Sequence, residues 1–282
     1  MGSSSNYKPP KVWFWKNKSE NKFSVINRPT AGVRKEKKLP AGIHPLQLYS
    51  LGTPNGVKVT ILLEELLSLG FSNAEYDAHL INIMEGDQFG SEFVKINPNS
   101  KIPALIDTST TPNTRIFESG SILIYLAEKF SSFIPLNPQQ KTECFSWLFW
   151  QMASAPYLGG GFGHFYAYAP EKIEYCIDRY TIEVKRQLDV LNNNLKDRKY
   201  LCGDEYTLSD ISVYPWYGSL VIGDLYNAQE FLDVKKYNHV IRWAEIIKER
   251  PAVKRGERVN RVWGKKEERV YERHNASDIP KI

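Results

Sequence analysis

From residue 46 onward, the chain changes its hydrophobic rhythm twice, and each change marks an element. Leu46 to Leu51 reads as a buried strand, Gly52 to Gly56 as a turn, and Val57 to Leu69 as a helix that stops at Gly70. Tyr76 to Ile81 reads as a second short strand. Ala104 to Asp107 reads as a third, with Arg115 to Phe117 as its neighbour across a turn that holds Pro112 and Asn113. Ser119 to Phe130 follows as a helix. A βαβ unit, a hairpin and a helix make the order of a thioredoxin-like domain, whereas a dinucleotide-binding fold would go on alternating strands and helices.

Beyond a connector at Pro135 to Pro138, helical spacing takes over in Lys141 to Ala155, Glu171 to Leu195, Ser209 to Ile222 and Tyr237 to Glu249. The second domain is therefore expected to be all helical. Thr207-Leu208-Ser209-Asp210 fits a capping box at one of its helix starts. The expected fold is α/β plus all-α. An extension over 1–44 packs on the body, 45–132 is thioredoxin-like, 139–250 is helical, and 251–282 forms a C-terminal extension. In the first extension the cluster Trp13, Phe14, Trp15 suggests an arm that packs rather than a floppy leader.

Composition narrows the class. With 42% hydrophobic and 24% charged residues, the 282-residue chain has enough apolar material for a buried core, which excludes global disorder. Cys144, Cys176 and Cys202 stand far apart, so the sequence holds no CxxC pair and no metal-ligand spacing, and all three are expected to be buried and inert. Met1 to Lys18 lacks the apolar core of a secretory signal, and the longest apolar run, Ile122 to Ala127, is too short to cross a bilayer. Gly2 suits N-myristoylation, but Asn6 stands where that motif needs Ser or Thr. A cytoplasmic protein without a membrane partner is expected. The net charge of +5 gathers at Arg34 to Lys38 and in the tail from Arg250 to Arg273; without a nucleic-acid motif, it reads as a solvated surface.

Three local features carry chemistry. Thr53, Pro54 and Asn55 precede a helix whose unpaired amides and partial positive charge would favour a thiolate docked on the turn. Either the Thr53 hydroxyl or the Asn55 amide can donate to that sulfur, or both residues can be ordinary helix caps. Ile102-Pro103 precedes a strand, where a cis proline would turn the Ile102 backbone toward a peptide ligand; an ordinary trans turn is the alternative. Glu118 and Ser119 open the next helix and can take an ammonium and a carboxylate, or again act only as a cap. Convergence of all three within one domain favours the ligand reading.

With these stand the longer motifs Ile26-Asn27-Arg28-Pro29, His44-Pro45-Leu46 through Thr53-Pro54-Asn55-Gly56, and Asn97-Pro98-Asn99-Ser100-Lys101-Ile102-Pro103-Ala104-Leu105. Phe117-Glu118-Ser119-Gly120-Ser121, Gly159-Gly160-Gly161-Phe162-Gly163-His164, Arg250-Pro251-Ala252-Val253-Lys254-Arg255-Gly256 and Glu272-Arg273-His274-Asn275 complete the set. Over nearly its whole length the chain resembles the nu-class glutathione transferases, of the YghU-type disulfide-bond oxidoreductases, which are also similar to Ure2-like proteins.

The resemblance implies a homodimer that holds two glutathione molecules, or glutathione disulfide, in each active site and reduces small disulfides. It implies glutathione contacts from Thr53, Pro54, Asn55, Gln88, Lys101, Ile102, Glu118 and Ser119, with Asn27 and Arg179 reaching the second molecule. On its own, Arg179 reads as a solvated side chain or a partner of Glu183. The family has a glutamine just before Ala155-Pro156; here Met152 takes that place, with Gln151 beside it. Tyr166 and Tyr168 can wall a pocket or fill the core, and His164 reads as structural. Thr53 and Asn55 are the expected catalytic groups, stabilising a thiolate that belongs to glutathione and not to the protein. The alternatives are conjugation to electrophiles or peroxide reduction at the same site, a glutathione-binding regulatory protein, and a basic nucleic-acid binder.

Overall fold

A computed structural model describes residues 8–15 and 26–280. Gly2 and Asn6, and part of the Met1 to Lys18 leader reading, lie outside them. A mixed sheet of order β2-β1-β3-β4 is formed by β1 (Leu46–Ser50), β2 (Tyr76–Leu80), β3 (Ala104–Asp107) and β4 (Thr114–Phe117). β1 runs parallel to β2 and antiparallel to β3, and β3 and β4 form the hairpin. Between them lie α1 (Pro54–Ser68) and the short α2 (Ser91–Ile96), and α3 (Ser119–Lys129) closes the domain. The thioredoxin-like order expected from the hydrophobic pattern is thus present.

The second half is helical: α4 (Pro138–Pro156), α5 (Glu174–Asn194), α6 (Leu208–Val213), α7 (Ser219–Ile222), α8 (Gln229–Leu232), α9 (Asn238–Lys248) and α10 (Pro251–Gly256). Asn137 caps α4 through its side-chain oxygen, which accepts from the amides of Gln139 and Gln140. At α6, the Asp210 carboxylate accepts from both the amide and the hydroxyl of Thr207, at 3.0 and 3.1 Å.

Two helical stretches differ from their sequence reading. Tyr157–Tyr168, beyond the helix expected over 141–155, continues α4 as wide π-type turns, and Tyr214–Gly218 interrupts the expected helix at 209–222 in the same way. The glycines explain the first. A Cβ on Gly161 would lie 2.3 Å from Tyr180, and one on Gly163 would lie 2.3 Å from Tyr226, so the bare backbone lets aromatic rings press against it.

α1 is buried from Gly56 to Leu66 because α3, α6, α10 and the Tyr214–Gly218 turns pack against it. The basic tail is not the solvated surface its charge pattern suggested. Arg250 pairs with Glu65 at 2.6 Å, Arg255 with Glu64 at 2.7 Å, and Arg273, wholly buried, with Glu64 and Glu75 at 2.9 Å. Burying acids on α1 requires cations that reach them, and the tail supplies these from outside the sheet. The N-terminal arm is fastened by 34–42: Lys35 and Lys37 pair with Asp87, and the Leu39 amide donates to Glu92. Trp13, Phe14 and Trp15 stay exposed, because the polar segment and not the aromatic cluster makes these bonds.

Candidate active site

The first turns of α1 and α3 open onto one cleft between the sheet and the helical half. Thr53 stands in the N-cap position with extended backbone, yet its side chain makes no capping bond. Glu118, in the same position for α3, makes none either. The ordinary-cap reading of both sites therefore has no hydrogen bond behind it. Glu118 is held at φ 68°, ψ 123°, a region that favours glycine, and Asn99 donates to its carboxylate at 3.2 Å. Ile102-Pro103 is cis, and Ile102 stands just outside the sheet ladder that begins at Ala104.

These elements bring Asn55, Lys101, Ile102, Glu118 and Ser119 together around a polar cavity of about 160 Å³. Beside it lies a second cavity of about 1080 Å³, shared by Thr53, Pro54, Asn55, Glu118 and Ser119. Its far wall is apolar, built from Ile124, Phe149, Met152, Tyr168 and Leu225. Small-molecule sites usually span roughly 300–1,000 Å³, so this one has room for more than one tripeptide.

The sequence reading missed the centre of the site. Lys58, one turn into α1 from Asn55, is buried, and its ammonium donates to Asn55 Oδ1 at 2.8 Å, Ser119 Oγ at 3.2 Å and Gln151 Oε1 at 2.7 Å. Three acceptors match three N–H groups. Burial pushes its pKa well below that of a free lysine, opposed by the charge of Glu118, and no carboxylate forms an ion pair with it among the described residues. Trp216 Nε1 also donates to Asn55 Oδ1, at 2.9 Å. With its oxygen claimed twice, the Asn55 amide must turn its NH2 group elsewhere, and Asn55 lines both cavities. A lysine three residues after Asn55, in a run otherwise apolar, was the available signal.

Other expected residues are placed differently. Gln88 is buried and donates to Ile83 O at 3.2 Å; it lines neither cavity. Asn27 and Arg179 are exposed and line neither, although Ile26 reaches the larger one. Glu183, the alternative partner of Arg179, is bonded to Arg186 at 2.7 Å instead. Both Gln151 and Met152 line the larger cavity. Gln151 Nε2 is buried there without a hydrogen-bond partner, while Met152 Sδ accepts from Ser119 at 3.7 Å. Tyr168 lines the cavity, whereas Tyr166 stacks on Phe162.

No cysteine lines either cavity. Only Cys144 is fully buried; Cys176 and Cys202 are partly exposed, a correction to the sequence reading that follows from their positions at helix and turn surfaces. Cys202 lies 3.2 Å from the Ser209 hydroxyl.

Comparison with known proteins fits this geometry. Residues 44–128 match the glutathione S-transferase N-terminal domain, and residues 176–251 match a profile described as the nuclear-export cofactor Arc1p. The chain is 58% identical to the disulfide-bond oxidoreductase YghU of Escherichia coli, over 98% of this chain and 96% of that one. A glutathione transferase YghU from Streptococcus pneumoniae, solved with glutathione, superimposes with TM-score 0.88 at 57% identity, covering 90% of this chain and 97% of the other. A glutathione transferase from Burkholderia graminis, solved with two glutathione molecules per subunit, gives TM-score 0.70 at 40% identity, covering 76% and 88%.

Proposed function

The chain belongs to the glutathione S-transferase family, among the YghU-like disulfide-bond oxidoreductases, and we propose that it reduces small disulfides with two molecules of glutathione. The observation that carries this reading is the Asn55 amide. Lys58 and Trp216 hold its oxygen, which leaves the NH2 group to donate to a ligand sulfur at the α1 N-terminus, while no protein thiol lines the cavity. The thiolate of one glutathione attacks a disulfide sulfur, displacing one thiolate and forming a mixed disulfide. A second glutathione attacks the glutathione sulfur of that mixed disulfide, releasing the second thiol and glutathione disulfide, so that the two glutathiones together supply the two electrons.

The chain's residues do the rest. Thr53 and Asn55 donate to the sulfur and, with the helix N-terminus, favour its ionised form. Ser119 and the amides of the α3 first turn receive the γ-glutamyl carboxylate, Glu118 the ammonium, and Ile102 pairs with the peptide backbone. The bound carboxylate also provides the counterion that Lys58 lacks. The unpartnered Gln151 Nε2 fits a buried acceptor on such a ligand. Asn27 and Arg179 are assigned to the second glutathione, and Gln88, through its bond to Ile83 O on the cavity wall, to support of the site of the first. We assign the enzyme to the nu class, as a cytoplasmic homodimer.

Replacing Cys144, Cys176 and Cys202 together by Ser should leave glutathione-dependent turnover of a small model disulfide within about twofold of the parent. A folded triple variant without turnover would overturn the reading. Glu118→Gly tests the ligand contact separately. A sparsely populated backbone conformation costs about 1–3 kcal/mol, more than the roughly 0.5–1 kcal/mol that glycine costs through its freedom in the unfolded chain. The variant should therefore be as stable as the parent or more so in denaturant titration. Losing a charge-assisted hydrogen bond, about 1.5–3 kcal/mol, should still weaken glutathione binding at least tenfold by calorimetry.

A further inference from the structure

β2 lies at an edge of the sheet, and the C-terminal tail runs antiparallel to it at one bridge, Ala78 with Arg273, through backbone bonds of 2.7 and 3.2 Å. Residues opposite one another in such a pair point the same way, and neighbours along a strand alternate. Asp77 and His79 therefore share one face with Glu272 and His274, while Arg273 points to the other. One ligating atom from each of His79, Glu272 and His274 lies within 4.8 Å of the other two.

Each of the three is already oriented by a partner. The Gln47 amide nitrogen donates to His44 O and to Asp77 Oδ2, so its oxygen faces His79 Nε2 at 2.9 Å. That nitrogen must donate, and the lone pair of His79 is left on Nδ1. His274 Nδ1 donates to Asp77 Oδ1 at 2.7 Å, which leaves the lone pair on Nε2, 3.6 Å from Glu272 Oε2. Glu272 Oε1 accepts from the Leu80 amide at 3.0 Å. A carboxylate behind one imidazole, an amide oxygen behind the other and an N–H behind the carboxylate form the outer support that metal ligands need.

We propose that His79, Glu272 and His274 bind a zinc ion that staples the C-terminal tail to the edge of the sheet. Two imidazoles and one carboxylate suit zinc better than magnesium or calcium, which prefer all-oxygen sites. His274 and Glu272 are 41% and 45% exposed, so a water can complete the shell. These two side chains can also close the present separation to the roughly 3.3 Å between ligand atoms that tetrahedral Zn–N bonds of about 2.0–2.1 Å impose.

The test uses full-length protein stripped with a chelator and titrated with Zn2+ alone, against a chromophoric competitor. One ion per chain should bind with a dissociation constant of about micromolar or tighter, and it should raise the thermal unfolding midpoint. His79→Phe keeps a ring against Tyr49, 5.2 Å away, and Glu272→Gln keeps an oxygen for the Leu80 amide. Each should weaken binding by at least the roughly 10- to 100-fold seen for outer-support changes and abolish the midpoint rise, with disulfide turnover unchanged. Zinc bound equally well by both variants would place the ion elsewhere, on the thiols for instance, and would overturn the proposal. So would the absence of saturable binding below about 1 mM.

Discussion

Lys58→Met should lower kcat/KM for disulfide reduction by about 10- to 100-fold, the scale of a lost hydrogen bond from a charged group, about 1.5–3 kcal/mol, while the unliganded protein loses no stability. Methionine fills nearly the same volume but offers no hydrogen. Asn55 Oδ1 would keep only Trp216, Ser119 and Gln151 would lose their shared donor, and the site would lose its buried charge. A sulfur bound beside Asn55 should then ionise at higher pH, which titration of the thiolate absorbance of bound glutathione reads directly. Because a buried cation without a carboxylate partner carries a desolvation cost of several kcal/mol, the unfolding midpoint of the empty protein should stay level or rise. That opposition separates a role in the reaction from a role in the fold. A variant with an unshifted thiolate titration would show that Lys58 only fills space.

Arg273→Met should cost about 3 kcal/mol in denaturant unfolding, the low end for breaking a buried pair, because Glu64 loses one of its two guanidinium partners and the Tyr76 carbonyl loses its buried donor. Arg273 is wholly buried, bonds Glu64 through Nε and Tyr76 O through Nη1, and lies over the Tyr76 ring at 3.9 Å. Glu64 would be left with Arg255 and the Tyr76 hydroxyl. Arg273→Lys should recover less than half of the loss, since one ammonium cannot reproduce a planar fork that serves two directions. A loss below about 1 kcal/mol, the scale of exposed pairs, would mean that the tail is not integral to the fold.

Much of this was legible in the sequence, and what was not has physical causes. The four strands, α1 and α3 follow from apolar runs bounded by glycine and proline, and the polar turns at Thr53-Pro54-Asn55, Ile102-Pro103 and Glu118-Ser119 announce themselves as element starts. Lys58 hid because a lysine is ordinarily a surface residue, and only the fold reveals that its neighbours are acceptors. The turns at Tyr157–Tyr168 hid because three adjacent glycines argue for a loop by propensity, whereas here the missing side chains of Gly159 and Gly161 admit the rings of Trp216 and Tyr180. The tail misled for a related reason. Counting charge cannot distinguish an arginine that faces water from one that reaches a buried glutamate 191 or 209 positions away, as Arg255 and Arg273 do.

The bridge between Ala78 and Arg273 also bears on how molecules of this protein meet one another in a crowded solution. An outer strand with idle amides is a template on which a neighbour can extend the sheet, and repetition of that step leads to insoluble polymer. Here the tail occupies the middle of the five-residue outer strand and brings charged side chains with it. The tail thereby takes up the outward amides of Ala78 and Leu80 and closes the β2 edge to a neighbour.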